Sequence, residues 1–128
     1  PIINKCWEKD INTLVPVMDW SNSCITSWVL TPETKLQENI WGIPEPVSAD
    51  YANNSVIDVV VLPLLAFDQK GYRTGYGKGF YDKFLASFDD VPIRVGLSFF
   101  GPVPEISDIH DQDIPLDFCI TPESVFEF

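Results

Sequence analysis

Val56-Ile-Asp-Val-Val-Val-Leu-Pro-Leu-Leu-Ala-Phe67 is a long, β-branched and almost continuously apolar run. A run of that kind predicts a strand buried on both faces of a parallel sheet. Directly after it, the stretch from Asp68 to Asp82 gathers four glycines, three cations and two acids. Phe80, Phe84, Leu85 and Phe88 then recur at helical spacing on one face. The predicted order is strand, glycine-rich loop, helix. Asp58 interrupts the apolar run; a buried carboxylate is costly, so it is expected near the start of the strand or hydrogen-bonded.

A glycine-rich loop that opens a helix has a physical use. The first N–H groups of the helix lack internal partners, the macrodipole adds partial positive charge, and glycines let backbone amides approach a bulky anion without a Cβ in the way. Arg73 and Lys78 add forked or mobile charge to the loop, in a chain whose net charge is −11. The loop reads as a polyanion cradle. It is not a Walker loop, because Gly79 follows Lys78 where a magnesium-binding hydroxyl would stand. Nor is Gly75-Tyr-Gly-Lys-Gly79 the dinucleotide fingerprint, since its spacing is G-x-G-x-G and the loop is too long. A surface turn that needs positive φ is the other reading of such glycines.

Pro63-Leu-Leu-Ala-Phe-Asp68 followed by Gly71-Tyr-Arg-Thr-Gly-Tyr-Gly-Lys-Gly-Phe-Tyr-Asp82 closely resembles the signature of the 5-formyltetrahydrofolate cyclo-ligase family, also called methenyltetrahydrofolate synthetase. Trp41-Gly-Ile-Pro-Glu-Pro46 and Gln112-Asp-Ile-Pro-Leu-Asp117 are weaker matches in the right order. The resemblance implies an enzyme that closes 5-formyltetrahydrofolate to 5,10-methenyltetrahydrofolate with ATP and Mg2+. It implies that Arg73, Thr74, Gly75, Tyr76, Gly77, Lys78, Gly79, Phe80 and Tyr81 meet the nucleotide, with Arg73 and Lys78 as the catalytic cations. It places Trp41, Ile43 and Pro44, together with Tyr76 to Phe80, beside the folate, and Asp82 with Asp113 on magnesium. Two alternatives stay open beside the enzyme: a non-catalytic folate- or nucleotide-binding relative, and an acidic protein-interaction domain.

Some of these positions carry a second reading. Trp41, in a loop stiffened by two prolines, makes a flat wall for a heteroaromatic ring or a cap on the core. Asp82, in the first turn of a helix, stabilises the dipole with or without a metal. The sequence departs from the family pattern at Leu64, where glycine is common, and at Thr74, where leucine is common. Family members also carry an additional helical N-terminal segment whose basic residues reach the nucleotide. This chain opens at Pro1 with Ile2, Ile3, Cys6 and Trp7 on one helical face, so the resemblance implies that it starts just after that segment.

The remaining pattern is α/β. Leu14 to Met18 predicts a strand that Pro16 confines to an edge or bulge, Cys24 to Leu30 a second, Val91 to Phe100 a third and Phe118 to Thr121 a short last one. Asp19 to Ser23 reads as a turn and Val47 to Ser55 as a linker. Strand and helix alternating in this way predict a three-layer, mainly parallel sheet with helices on both faces, Rossmann-like. At 128 residues a single α/β domain over 1–128 is expected.

An excess of 19 acids over 8 bases argues against nucleic acid or an anionic membrane as partner; the resemblance implies small-molecule partners, ATP and 5-formyltetrahydrofolate, and a monomer is expected. Cys6, Cys24 and Cys119 are spread out and odd in number, which suits buried thiols in a reduced, cytoplasmic setting. No apolar run reaches the roughly 20 residues that span a bilayer. Glu105 to Asp117 holds five acids and His110; apart from Asp113 these read as a solvated face.

Overall fold

The computed structural model describes residues 1–128. The chain divides into two compact units, Pro1–Val56 and Ile57–Phe128.

The first unit opens with α1 (Ile2–Glu8), followed by β1 (Thr13–Asp19) and β2 (Cys24–Leu30). β1 and β2 form an antiparallel hairpin with Thr13 opposite Leu30 and Asp19 opposite Cys24. Asp19 makes the turn, its Oδ1 accepting the N–H groups of Ser21 at 3.0 Å and Asn22 at 3.1 Å. β1 lies at the edge of its sheet, the position expected from Pro16, which pairs opposite Ser27. Ile25 and Leu30 supply the buried apolar side chains here. Trp7 ties α1 down by donating its indole N–H to Thr13 Oγ1 at 2.8 Å.

β3 (Leu36–Glu38) and β4 (Pro44–Pro46) make a separate two-stranded ribbon, and β5 (Tyr51–Ala52) pairs antiparallel with β2. The stretch expected as a plain linker, Val47 to Ser55, therefore carries an edge strand. Tyr51 explains it, because its ring packs on that of Trp28 with centroids 5.7 Å apart, a cross-strand aromatic pair of the kind that stabilises sheets.

The second unit contains β6 (Val59–Leu62), β7 (Ala66–Phe67), β8 (Arg73–Thr74), α2 (Phe80–Ala86), β9 (Ile93–Leu97), β10 (Phe118–Ile120) and β11 (Val125–Glu127). Its main sheet runs β11-β10-β9-β6. β6 with β9 and β9 with β10 are parallel, whereas β11 returns antiparallel on β10. The core is Val60, Leu62, Phe67, Phe84, Leu85, Leu116 and Cys119. Phe67 is fully buried and meets the rings of Phe126 and Phe128 edge-on, at 5.5 and 6.1 Å.

The chain is α/β, with mixed sheets and few helices. Among the strands, parallel pairing is confined to β6, β9 and β10, beside one isolated parallel bridge between Asp68 and Val103, and the other sheets are antiparallel. The long apolar run behaves differently from expectation. It yields two short strands, because Pro63 has no N–H to continue the ladder. β6 alternates, with Val60 and Leu62 buried but Val59 and Val61 exposed by 49% and 50%, so it is not buried on both faces. Asp58 sits just before β6, exposed, its carbonyl accepting the Ile93 N–H at 2.9 Å. The connection from β9 to β10 forms no helix, and Pro102, Pro104 and Pro115 within it are the reason.

Candidate functional site

Between the apolar run and the glycines, the chain turns through a hairpin that the apolar pattern hides. β7 pairs antiparallel with β8, Phe67 opposite Arg73. Asp68, fully buried, organises the turn: its Oδ1 accepts the N–H groups of Lys70 at 2.9 Å and Tyr72 at 3.0 Å, and its Oδ2 accepts that of Ile106 at 3.1 Å. A buried carboxylate with three backbone donors is satisfied rather than reactive. Gly71 takes φ 84°, and a Cβ there would lie 2.8 Å from the Phe128 ring and 2.9 Å from the Leu116 carbonyl oxygen.

After β8 the chain leaves the core. Thr74, Gly75, Tyr76, Gly77, Lys78 and Gly79 are all exposed, and Phe80, Tyr81 and Asp82 are half-buried at the start of α2. Gly79 occupies the N-cap with φ 65° and no side chain caps the helix. Gly77 also has positive φ, at 84°. Gly75 has neither constraint, since its φ is ordinary and a Cβ on it would meet nothing within 4 Å. Glycine at 75 is thus demanded neither by the fold nor by packing. Burial pushes the Tyr81 phenol above its usual range, while the charge of Arg73 draws it down.

Arg73 is not part of the exposed run. Its side chain is 6% exposed; Nη1 donates to the Ile114 carbonyl at 2.6 Å and Nη2 to Asp82 Oδ1 at 2.9 Å. The same Oδ1 accepts the Ile114 N–H at 3.1 Å. Asp82 is therefore brought against the residue that follows Asp113. Asp113 is half-buried and its Oδ2 accepts the His110 N–H at 2.8 Å. The imidazole of His110 is exposed and stands 3.7 Å from Asp108. No cluster of three or more His, Cys, Asp or Glu able to hold a metal ion is present. All three cysteines are free thiols; Cys119 is buried, and Cys6 and Cys24 are only half-buried, more open than their sequence context suggested.

Trp41, Ile43 and Pro44 belong to the first unit, in and beside the turn that joins β3 to β4. Trp41 is 66% exposed, so it caps no core. Asn39, which the sequence did not single out, shapes this turn: its Oδ1 accepts the N–H groups of Trp41 at 2.8 Å and Ile43 at 3.1 Å. An Asn two residues before the indole was the available signal, because Asn bonds its own backbone two residues on. The other overlooked pair is Arg94 with Asp117. Arg94 Nε and Nη2 donate to the two Asp117 oxygens at 2.8 and 2.5 Å, and the Arg94 N–H adds a third bond at 2.7 Å. This fork joins β9 to the last residue of the Gln112–Asp117 motif.

Comparison with known proteins points one way. The sequence profile of the 5-formyltetrahydrofolate cyclo-ligase family matches residues 1–122. The 5-formyltetrahydrofolate cyclo-ligase of Escherichia coli K12 is 31% identical over 132 residues, taking in all of this chain and 72% of that protein. The NMR structure of Aquifex aeolicus 5,10-methenyltetrahydrofolate synthetase superposes with a TM-score of 0.78 at 29% identity, over 99% of this chain and 63% of the other. A Mycoplasma pneumoniae 5,10-methenyltetrahydrofolate synthetase, 23% identical, shares the fold at a TM-score of 0.67 and is covered to 60%. With a profile match across nearly its whole length and named ligases among its relatives, the chain belongs to the 5-formyltetrahydrofolate cyclo-ligase family.

Proposed function

We propose that this protein closes 5-formyltetrahydrofolate to 5,10-methenyltetrahydrofolate at the expense of ATP. Family membership supports the reaction class. The observation that carries the site is the exposed run Thr74–Gly79, in which Gly75 is bare although neither φ nor packing requires it. A backbone kept open in that way lets amides approach a triphosphate. We also propose a three-layer, Rossmann-like arrangement, on the strength of the parallel order of β6, β9 and β10 in the second unit.

In the proposed reaction the formyl oxygen attacks the γ-phosphorus of ATP and ADP departs. The side-chain amine nitrogen of the folate then attacks the activated carbon and gives up its proton. The ring closes as the C–O bond breaks and phosphate leaves. Phosphoryl transfer of this kind asks the protein to position reactants and to offset charge on the equatorial oxygens. Lys78 offsets that charge, the amides of Gly75, Gly77 and Gly79 cradle the phosphates, and Tyr76, Phe80 and Tyr81 border the nucleotide. Trp41, Ile43 and Pro44 offer an apolar wall to the pterin.

Asp82 Oδ2 and Asp113 Oδ1 remain as hard oxygen donors once the bonds above are made. Two carboxylates suit a magnesium ion that fills its other positions with phosphate and water. When bound, such an ion neutralises phosphate charge. Three free thiols suit a reducing compartment, and we place the reaction in the cytoplasm.

Mixing the protein with MgATP and 5-formyltetrahydrofolate and following the absorbance of the methenyl product tests the assignment. Product formation with stoichiometric ADP release is expected. Bound nucleotide without product would replace the enzyme by a binding protein.

A further inference from the structure

Arg73 and Arg94 are the two arginines of the chain, and the side chain of Arg73 is the more buried, 6% exposed against 21%. Its two terminal nitrogens are divided between two acceptors: the Ile114 carbonyl at 2.6 Å and Asp82 Oδ1 at 2.9 Å. The Ile114 N–H donates to that same oxygen at 3.1 Å. These three bonds close a ring joining β8, the first turn of α2 and the segment that carries Asp113. Two residues before Arg73, the Gly71 carbonyl accepts the Leu116 N–H at 2.8 Å, so the hairpin and the segment are laced together on both sides. A guanidinium can span a carboxylate and a carbonyl because its donors diverge from one rigid plane. A lysine ammonium would keep the charge but not the span.

We infer that Arg73 is a positioning residue, which holds the Asp82 carboxylate and the segment bearing Asp113 in one fixed relation and does not itself touch phosphate. This rests on the nucleotide reading above and reassigns one of its two cations. Lys78, in the exposed run, remains the cation that meets the nucleotide.

Two measurements test it. In the unsubstituted protein, the 15N resonances of the Arg73 guanidinium are expected to be protected from exchange and to stay in place when MgATP is added, while the amides of Gly75, Gly77 and Gly79 shift. In a double-mutant cycle on MgATP affinity, Arg73→Lys is expected to weaken binding by about tenfold. In an Asp82→Asn background the same change is expected to weaken it by less than about twofold, because the group through which Arg73 acts is already lost. A purely architectural arginine would lower stability by the same amount in both backgrounds and leave affinity alone. Amide shifts accompanied by movement of the Arg73 resonances, or equal losses in the two backgrounds, would keep the nucleotide site and overturn the positioning role. Absence of any shift at Gly75–Gly79 would overturn the nucleotide reading, and this inference with it.

Discussion

The most buried carboxylates and both arginines of this protein are held by hydrogen bonds. Asp68 holds three backbone N–H groups, Asp82 holds Arg73 and Ile114, and Asp117 holds Arg94. The Arg94 side chain, bonded to both oxygens, is the first reason that the Asp117 carboxyl lies below the usual carboxylate range. A carboxyl depressed by folding adds stability that is complete above its unfolded value and is lost as pH falls through its folded value. Urea unfolding should therefore show the protein weakening as pH drops below about 4, the ordinary aspartate range. Asp117→Asn is expected to be less stable at neutral pH and to show a shallower decline in acid. An identical acid slope in the variant would contradict the pairing. The pairing of Arg94 with Asp117 was not legible from sequence, because the two are 23 residues apart and a run of acids looks like a solvated face until the chain is folded.

At the scale of elements, β1 and β2 were readable nearly to the residue, since their apolar runs are bounded by turn formers and Pro16 marks the edge. The hairpin of β7 and β8 was not. Two-residue strands carry no periodic signal, and the apolar run leading into them reads the same whether it is one strand or two. The Gly-rich signature does two jobs that this hairpin separates. Gly71 is structural: positive φ and the nearby Phe128 ring and Leu116 carbonyl leave no room for a Cβ. Gly75 stands in open space with ordinary φ. Gly71→Ala is accordingly expected to destabilise by at least about 2 kcal/mol through strain and overpacking, whereas Gly75→Ala should change stability by no more than about 0.5 kcal/mol and yet weaken MgATP binding. Thermal and urea denaturation of the two variants, beside a nucleotide titration, check this. Equal stability losses would contradict the division of labour.

For the molecule as a whole, the sequence revealed the α/β class and the family, because the glycine loop and its flanks form a long contiguous pattern. It overstated the parallel sheet, since apolar runs cut by proline do not show how many of their residues reach the ladder. With a net charge of −11, the protein repels anions generally, so a triphosphate must be captured by a local arrangement of amides and a cation. Calorimetric titration of MgATP into the protein and into Lys78→Ala addresses that claim head-on. Saturable binding by the protein, weakened by about 1–3 kcal/mol when the charged contact is removed, is the expected result; no heat of binding, or the same affinity in both, would contradict it.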